Sequence, residues 1–483
     1  MGVLSELKPE PVFKYFEEIC GIPHTSHHEK ELSDYCVRFA RERGYECTQD
    51  EMGNVLIIAG ATPGYEDADA VIIQGHLDMV GDKAEGCDID MEKEGPRVYI
   101  DGDYIRADGT TLGGDNGIAV AYALALLDAK DGSIPHPRVE IVLTVCEEVG
   151  LLGATAMDLS SCRARRMLNI DSEVEGILTA GCAGGRRTCC RIPVKRIPCA
   201  GLRCELELTG LLGGHSGMEI DKGRANAATL LGRFLMFLNE NMSYDLAALN
   251  AGVKENVIPK SGFAVLLISP DEEGTLKKVT EKFHEFMEAE YGKADPDIHL
   301  DLTVGEAGEC SALDKDSLMR VLTALNLMPN GVQAMSMDLP GLVETSVNMG
   351  VAELTDDKLI LRQSIRSSVS SAKEMIFCKI ALLAEQLGGT VDFQGDYPAW
   401  PYARTSRLRD LCVDIFKQQY GYEPKIELMH AGLECGIISG KLDGLDCISF
   451  GPNLTDIHTP NEHVSISSVA RVWEYLKAIL AAR

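Results

Sequence analysis

The chain has 483 residues, of which 45% are apolar and 25% are charged, and its formal net charge at pH 7 is −28. This length predicts two domains, or one domain with a large insertion, because a single hydrophobic core rarely serves so long a chain. The negative charge argues against a nucleic-acid partner or an anionic membrane, because both would repel the protein. We therefore expect a globular protein that binds neither.

The lack of a recognisable signal peptide or membrane span and the pattern of cysteines both predict a cytoplasmic protein. The first residues lack the basic start and apolar core of a signal peptide, and apolar runs such as 118–127 are too short to span a bilayer. The sixteen cysteines are scattered, apart from the adjacent Cys189 and Cys190, and no CxxC pair is present. We predict reduced, mostly buried thiols rather than a disulfide framework.

Helical spacing of apolar residues predicts two helices within residues 9–46, separated by a loop at 21–28. The loop contains three histidines, which are either metal ligands or loop and helix-capping residues. We favour the second interpretation, since no strand fixes their geometry. They are His24, His27 and His28.

Two apolar strands are predicted next, at 54–59 and within 70–78. The second of them ends in the sequence His-Leu-Asp. Residues i and i+2 of an extended segment project to the same side, so His76 and Asp78 can meet. The carboxylate would then fix the tautomer of an imidazole that binds a metal through its other nitrogen.

The segment 111–117 places Asp115 between glycines, directly before a strong helix former at 118–127. Glycines on both sides allow the backbone to take an unusual path and to approach a ligand closely. Alternatively, Asp115 only caps the helix. The segment alone does not decide between a ligand contact and a cap.

Three further strands are predicted to deliver polar residues at their carboxyl ends. They lie at 138–146, 166–170 and 447–450. In open α/β sheets ligands bind outside the carboxyl ends of the strands, so these polar residues are expected in one functional crevice. The residues that follow the three strands are Glu147 and Glu148, Asp171, and His458.

Together these polar residues predict a metal site. Five carboxylates that converge without countercharge repel strongly at low dielectric, and bound cations relieve that repulsion most simply. Mixed imidazole and carboxylate donors suit zinc, and less specifically manganese or cobalt. One carboxylate shared by two ions holds them about 3.5–4 Å apart. The residues expected to converge are His76, Asp78, Asp115, Glu147, Glu148, Asp171 and His458.

The motifs that carry these residues are Gly75-His-Leu-Asp78, Gly113-Gly-Asp-Asn-Gly117, Cys146-Glu-Glu-Val-Gly150, Asp171 and His458. In this order they resemble the motifs of the dinuclear-zinc M20 metallopeptidases. The chain length and the stretches at 181–185, 213–217 and 430–436 extend the resemblance over nearly the whole chain. Within the family, the chain is most similar to the aminoacyl-histidine dipeptidases of the bacterial carnosinase type.

The resemblance implies two metal ions, with Asp115 as the ligand that bridges them. It also implies a cis peptide bond after Asp115. The second ion would be bound by Asp115, Glu148 and His458, and the first by His76, Asp115 and Asp171.

The resemblance also implies roles for two residues beside the ligands. Glu147 would be the general base that deprotonates the metal-bound water and then hands the proton to the leaving amine. Asp78 would orient His76 without binding a metal itself.

The segment 186–399 differs in its sequence pattern from the segments on either side, and it carries an internal repeat. An amphipathic helix at 224–238 recurs 92 residues later at 316–327, and the same offset takes Asn256 to Asn348, each before a strand-like stretch. The repeat predicts an inserted α+β lid made of two similar halves. Smaller M20 enzymes resemble a single copy, which pairs with a partner chain and lends it a histidine, so a duplicated lid could supply that histidine within one chain.

Three lid residues are candidates for contacts with a substrate. His215, in the sequence Gly-Gly-His-Ser-Gly, could polarise the scissile carbonyl oxygen, or it is a loop histidine with a structural hydrogen bond. Asn256 and Arg366 could hold the substrate. The planar guanidinium of Arg366 suits a terminal carboxylate, although an exposed arginine on a strand is the alternative.

The predicted architecture is an α/β protein with a mixed-sheet zinc-peptidase catalytic domain, formed by residues 1–185 and 400–483, and the inserted lid domain at 186–399. The predicted activity is hydrolysis of dipeptides by a metal-bound hydroxide, with a glutamate as general base. From the resemblance we expect Xaa-His dipeptides, including the β-Ala-His type. A monomer is compatible with the duplicated lid, and a homodimer stays open.

Two alternatives to the dipeptidase stay open. Another M20 amidohydrolase, such as an N-acyl amino acid deacylase or a tripeptidase, would keep every metal ligand and differ in the lid. A catalytically silent binding scaffold would have lost a base or a ligand. All seven site positions are filled in this sequence, which disfavours the scaffold.

Overall fold

The computed structural model describes residues 2–129 and 132–482. Its helices are, in chain order, α1 (Glu10–Cys20), α2 (Lys30–Glu42), α3 (Gly114–Leu127), α4 (Leu152–Ala156), α5 (Ala227–Asn241), α6 (Glu273–Tyr291), α7 (Lys315–Leu327), α8 (Ser370–Gln386), α9 (Arg407–Tyr420), α10 (Glu434–Lys441) and α11 (Ile466–Ala481). No helix within the described residues is both long and apolar enough to cross a lipid bilayer. All sixteen cysteines are free thiols.

The strands are β1 (Glu46–Gln49), β2 (Val55–Ala59), β3 (Val71–His76), β4 (Val98–Asp101), β5 (Tyr104–Ala107), β6 (Val139–Thr144), β7 (Arg166–Asn169), β8 (Ile177–Cys182), β9 (Gly184–Pro193), β10 (Arg196–Thr209), β11 (Gly214–His215), β12 (Asp245–Ala251), β13 (Val257–Ile258), β14 (Gly262–Ile268), β15 (His299–Leu313), β16 (Gly331–Met335), β17 (Val343–Leu354), β18 (Lys358–Ser367), β19 (Thr390–Tyr397), β20 (Lys425–Met429), β21 (Asp446–Ser449), β22 (Leu454–Thr455) and β23 (His463–Ser465). Parallel and antiparallel pairs both occur, so the predicted mixed α/β class is confirmed.

The chain forms two compact units. Unit 1 comprises Met1–Cys182, Tyr402–Leu428 and Leu433–Arg483, and unit 2 comprises Ala183–Pro401 and Met429–Gly432. The sequence-based division places 1–185 and 400–483 in the catalytic domain, whereas the structure assigns residues 183–185 and 400–401 to unit 2, together with residues 429–432. Their assignment has a local reason, because the N–H of Ala183 donates to the carbonyl of Met429.

Unit 1 is built on an eight-stranded sheet with the order β1-β2-β6-β3-β7-β21-β8-β20. Four neighbouring strands in its centre, β6, β3, β7 and β21, run parallel to one another. At one side β2 pairs antiparallel with β6, and β1 pairs antiparallel with β2. The strands β2, β3 and β6 are buried along their whole length, which accounts for their unbroken apolar sequence. The carboxyl ends of the four parallel strands therefore meet at one edge of the sheet.

The helix α3 is the most deeply buried helix of unit 1. Almost every residue of α3 is buried, and Tyr122 stacks on Trp473 of α11 with ring centroids 5.7 Å apart. Its first turn is irregular, since Asp115 and Asn116 have non-helical backbone angles and the peptide bond between them is cis. The cis bond expected after Asp115 is thus present.

Unit 2 is built on a second sheet whose strand order reflects the internal repeat. The order is β15-β10-β14-β12-β17-β18-β9-β19, with β16 added beside β17. The first half contributes β15-β10-β14-β12, counted from one edge of the sheet to its middle. The second half contributes the corresponding strands β19-β9-β18-β17, counted from the other edge to the middle. The halves join edge to edge where β12 pairs with β17, Asn250 opposite Glu353 and Ala251 opposite Ala352. The prediction of two similar α+β halves is confirmed.

The helices of unit 2 also follow the repeat. α5 and α6 belong to the first half, and α7 and α8 occupy the corresponding places in the second. Their apolar faces form one core with the strands, in which Phe234, Phe283, Leu322 and Ile380 are buried. Asn226 and Asp314 cap α5 and α7 by accepting backbone N–H groups.

Candidate functional site

The parallel strands of unit 1 bring most of the predicted polar residues to one place. β3 ends at His76, and Asp171 follows the neighbouring strand β7. His76 Nε2 lies 3.1 Å from Asp115 Oδ1 and 3.5 Å from Asp171 Oδ1. An imidazole nitrogen and two carboxylates thus meet, although they come from three separate segments.

A second group of donors lies on the other side of Asp115. His458 Nε2 is 3.2 Å from Asp115 Oδ2 and 2.8 Å from Glu148 Oε1. His458 has a positive φ of 62°, a strained conformation that turns its ring toward the carboxylates. The two oxygens of the Asp115 carboxylate therefore face two different histidines.

Among the residues that the structure describes, three groups of metal-donor side chains have all their ligand atoms within 4.8 Å of one another. Each combines an imidazole nitrogen with carboxylate oxygens, the donor set that binds zinc, cobalt or manganese in proteins. The residues of unit 1 can therefore hold divalent metal ions. The groups are His76, Asp115 and Asp171; Asp115, Glu148 and His458; and His76, Glu147 and Glu148.

Asp78 contacts two of the segments that carry the donors, and also the loop at 21–28. His76 Nδ1 is 2.9 Å from the Asp78 carbonyl and 3.5 Å from its carboxylate. The same carboxylate accepts the backbone N–H groups of Glu147 at 2.9 Å and Glu148 at 3.2 Å, and the hydroxyl of Ser26 at 2.8 Å. Asp78 thus fixes the glutamate turn as well as the imidazole, and only the second contact was predicted from sequence.

Unit 2 holds a separate cluster of polar side chains. Arg366 Nη2 lies 3.5 Å from His215 Nε2, and Arg366 Nη1 donates to the Tyr397 hydroxyl at 3.3 Å. His430 Nε2 is 2.8 Å from the Ser346 hydroxyl. Arg366 is buried, so the alternative of an exposed strand arginine does not hold.

The third predicted lid residue differs from these two. The side chain of Asn256 is exposed, and its carbonyl accepts the N–H of Ser216. Its repeat counterpart Asn348 is buried and donates to the carbonyls of Glu255 and Val257, on either side of Asn256. The repeat therefore brings its two asparagines next to each other.

Comparisons with known proteins identify the family. Residues 206–295 match the M20 peptidase dimerisation domain. The chain is 36% identical to the cytosol non-specific dipeptidase of Escherichia coli K12 over 484 residues, which cover 99% of each protein. The chain belongs to the M20 peptidase family. It is therefore a hydrolase of a metallopeptidase family, as its motifs predict.

The solved structures agree with this assignment to the M20 family. The aminoacylhistidine dipeptidase of Vibrio alginolyticus is similar with a TM-score of 0.91 and 36% identity, covering 99% of this chain and 97% of that one. Aminopeptidase PepT of Bacillus cereus, at 16% identity, has a TM-score of 0.58 over 98% of both chains. The second similarity shows the shared fold alone.

One M20 site residue that the sequence did not indicate is Glu462. It is buried, and its carboxylate accepts the backbone N–H groups of four successive residues at 2.8–3.3 Å. These four residues form the turn that carries Asp115, so Glu462 links that turn to the segment of His458. Because the contact depends on backbone geometry, nothing in the local sequence could have revealed it. The four donors are Leu112, Gly113, Gly114 and Asp115.

Asn116 was also missed, although it stands in the Gly-Gly-Asp-Asn-Gly motif of this M20 chain. Its side-chain oxygen accepts the N–H of His76 at 3.1 Å, and its amide donates to the carbonyl of Ile170 at 2.6 Å and to Asp171 Oδ1 at 3.1 Å. Asn116 therefore links the carboxyl ends of β3 and β7, next to His76 and Asp171. The signal in the sequence was the motif itself, which we interpreted only for its aspartate.

Electrostatics show how crowded the carboxylates of this M20 site are. Burial raises the pKa of Glu147 well above its usual value, and Asp171 and Glu148 nearby raise it further, against the opposing influence of His76. Hydrogen bonds to Asp115 and Glu148 raise the pKa of His458 to about 10. The site thus favours positive charge among its carboxylates, a property that fits bound cations.

The loop at 21–28 borders the site, but its histidines are engaged in other contacts. His24 is buried with Nδ1 2.6 Å from the carbonyl of Ile22, and His27 Nδ1 lies 3.4 Å from the thiol of Cys146. Within residues 2–129 and 132–482, none of the three histidines belongs to a metal-donor group. The structure thus agrees with their interpretation as loop residues.

His430 is the remaining residue that the sequence analysis did not single out. It stands in the stretch 430–436, which we used only as evidence of resemblance. Burial lowers the pKa of His430 to about 3, and the charge of Arg366 contributes to this shift. The ring is therefore neutral at physiological pH, and its Nδ1 is buried without a hydrogen-bond partner in the described residues. The Nε atom of Arg366 is in the same situation.

Proposed function

We propose that this M20 enzyme hydrolyses dipeptides, and Xaa-His dipeptides in particular, with divalent metal ions as cofactors. The observation that carries the proposal is the pair of donor groups that share Asp115, with Glu147 at their side. Two relatives with 36% identity over almost the full chain are a non-specific dipeptidase and an aminoacylhistidine dipeptidase. The preference for histidine at the second position rests on the second of them.

The proposed cofactors are two zinc ions, with cobalt or manganese as ions that suit the same donors. His76, Asp115 and Asp171 would hold one ion, and Asp115, Glu148 and His458 the other. The structural support is the closeness of the ligand atoms in each group and the division of the two Asp115 oxygens between the histidines. When bound, such ions lower the pKa of water and polarise a peptide carbonyl.

Glu147 is proposed as the general base. Its backbone N–H donates a hydrogen bond to Asp78, which holds the Glu147 backbone in place beside the donors. The carboxylate would take a proton from the attacking water and give it to the nitrogen of the leaving amine, which restores the base for the next turnover. Glu147 also belongs to a donor group with His76 and Glu148. The roles of base and ligand are therefore separated only by experiment.

The polar cluster of unit 2 is proposed to recognise the substrate. Within the part of the chain that the structure describes, Arg366 and His430 each carry a buried nitrogen without a partner, and both nitrogens can donate to the terminal carboxylate of a dipeptide. His215 would polarise the scissile carbonyl oxygen. Asn256, whose side chain is exposed, would add a further contact with the substrate. In this proposal unit 1 is the catalytic domain and unit 2 is the lid.

The proposal is tested by turnover of carnosine, leucyl-histidine, leucyl-leucine and N-acetyl-leucine by the zinc-reconstituted protein, with and without a chelator. Chelator-sensitive release that favours the two histidine dipeptides is the expected result. Release from N-acetyl-leucine alone would transfer the chain to the deacylases of the same family. No release from any of the four substrates would contradict the enzymatic proposal.

A homodimer and a cytoplasmic location are proposed with different support. The match of residues 206–295 to a dimerisation domain supports pairing of two chains. In the described residues β15 pairs with β10 only, so one edge of β15 is available to a second chain. Light scattering distinguishes the monomer from the dimer. The cytoplasmic location is supported by the relative that is named a cytosol dipeptidase.

A further inference from the structure

A buried carboxyl group below the metal donors takes no part in the proposed chemistry. Glu434 is the first residue of α10, and its exposed fraction is 0%. Its Oε2 accepts a hydrogen bond from the Gln74 amide and another from the Thr144 hydroxyl, the latter at 2.6 Å. Gln74 belongs to β3 and Thr144 to β6, so one carboxyl oxygen joins two neighbouring strands.

The network extends to a third strand. The side-chain oxygen of Gln74 accepts a hydrogen bond from the Asn169 amide of β7. All four side chains are buried. The chain of contacts Asn169–Gln74–Glu434–Thr144 therefore crosses β7, β3 and β6.

The position of these residues along their strands is the decisive feature. Gln74 lies two residues before His76, Asn169 lies two residues before Asp171, and Thr144 lies three residues before Glu147. Each anchor thus holds its strand by a buried side-chain hydrogen bond two or three residues before the strand delivers a side chain to the site. A shift of one strand along its axis would move its site residue by the same amount.

Energetics argue that this network is not there for stability alone. In the described residues the partners of Glu434 are the uncharged Gln74 and Thr144, with no lysine or arginine among them, and its Oε1 has no hydrogen-bond partner. A buried carboxyl without a cation is unfavourable compared with an apolar side chain of the same volume. Burial raises the pKa of Glu434 to about 8, which reflects this penalty. We therefore infer that this buried carboxyl group serves to hold the strands in position.

We propose that Glu434 is a positioning residue that holds the ends of β3, β6 and β7 in a fixed register and thereby sets the spacing of the metal donors. This inference rests on the proposed metal site. Residues outside the ligand shell that orient ligands commonly change metal affinity by about 10- to 100-fold when they are removed. Glu434 does not contact a proposed ligand directly. It acts on the strands that carry the ligands.

The test uses two variants of Glu434 and one matched control in the full-length protein. Glu434→Gln keeps an oxygen that can accept both hydrogen bonds, whereas Glu434→Met removes both at similar volume. Glu140→Met is the control, because Glu140 is also fully buried and lies on β6, but at its other end. There it accepts the N–H groups of Arg163 and Ala164.

The readouts are the affinity for Co²⁺, measured by competition with a chromogenic chelator, and the visible absorption spectrum of the bound Co²⁺. We expect Glu434→Met to weaken Co²⁺ binding by about 10-fold or more and to change the spectrum. Glu434→Gln should stay close to the wild type. Glu140→Met should lower the thermal midpoint of the metal-free protein and leave the Co²⁺ spectrum unchanged.

Wild-type affinity and spectrum in Glu434→Met would overturn the inference, and so would an equal spectral change in Glu140→Met. If Glu434→Met does not fold, Thr144→Val replaces it, because this variant removes one hydrogen bond and conserves shape. It must then change the Co²⁺ spectrum in the same direction, or the inference fails. A wild-type protein that binds no Co²⁺ would instead remove the proposed metal site, and with it this positioning role.

Discussion

At the scale of single residues, backbone N–H groups hold the carboxylates of the site in place. Asp78 accepts two of them from the glutamate turn, and Glu462 accepts four from the turn of Asp115. Hydrogen bonds from N–H groups stabilise a carboxylate that has no cation beside it. Two side chains thus hold the segments that carry the proposed ligands, although neither is expected to bind a metal.

Glu462→Gln tests this anchoring. The amide can accept with only one of its two ends, so two backbone N–H groups of the turn lose their acceptor, at a cost of about 1–3 kcal/mol each. We expect a lower thermal midpoint and weaker metal binding, measured by denaturation and by chelator competition. Asp158→Asn is the control, because Asp158 is exposed and also accepts an N–H group, that of Ser160. Unchanged metal affinity in Glu462→Gln would show that the turn does not need its carboxylate.

The buried neutral His430 predicts an acid-sensitive unit 2. Its folded pKa of about 3 lies below the usual 6.5, so the unfolded chain binds the additional proton. The stability that His430 contributes is present above pH 6.5 and is lost as the pH falls toward 3.

Between pH 7.5 and 5.0 this loss amounts to about 2 kcal/mol. His430→Asn should reduce the acid-induced drop in unfolding free energy by that amount, as urea denaturation in the presence of a chelator would measure. His284→Asn, at a half-buried position, should leave the drop unchanged. Equal pH dependence in wild type and His430→Asn would mean that His430 is not buried in its neutral form.

The residue types at the site could be predicted from sequence, and the contacts between segments could not. His76, Asp115 and His458 were singled out because each follows a strand or stands in a glycine-rich turn. Glu462 and His430 were missed because their partners lie far away along the chain, among backbone atoms or in another strand. Patterns of period two or 3.6 carry no information on such contacts.

At the scale of elements, the approach of α3 to β3 brings Asp115 close to His76. A Cβ on Gly75 would meet the side-chain oxygen of Asn116 and would lie 2.7 Å from the Cβ of Ala119. The missing side chain of Gly75 therefore allows the helix to sit directly on the strand that ends in His76. The strand and the helix were predicted from sequence, and their close contact was visible only as a glycine before the histidine.

Gly75→Ala should separate the strand from the helix. Overpacking of this kind costs about 1–3 kcal/mol, and the donors on both elements should move apart. We expect a lower thermal midpoint together with weaker metal binding. Gly60→Ala, after β2, is the matched control, since nothing lies within 4 Å of its added Cβ. A Gly75→Ala protein with wild-type stability and metal affinity would contradict the tight contact.

At the scale of the whole molecule, the sequence indicated an insertion and an internal repeat, and the structure shows how the repeat is used. The two halves of unit 2 join through β12 and β17 into one continuous sheet. Strand order is a long-range property, so the amphipathic periodicity at 224–238 and 316–327 could predict the helices but not the junction. The assignment of residues 429–432 to unit 2 was likewise invisible, because it depends on where the chain returns after a long excursion.

We propose that unit 1 holds metal ions and that Glu147 acts beside them as the base. The most direct measurement is the metal content and the turnover of leucyl-histidine for wild type and Glu147→Gln, determined on the same reconstituted samples. We expect equal metal content and a loss of turnover of at least about 100-fold, in line with removal of a general base. A Glu147→Gln protein that loses metal would show that Glu147 is a ligand, and one that keeps its turnover would show that the base lies elsewhere.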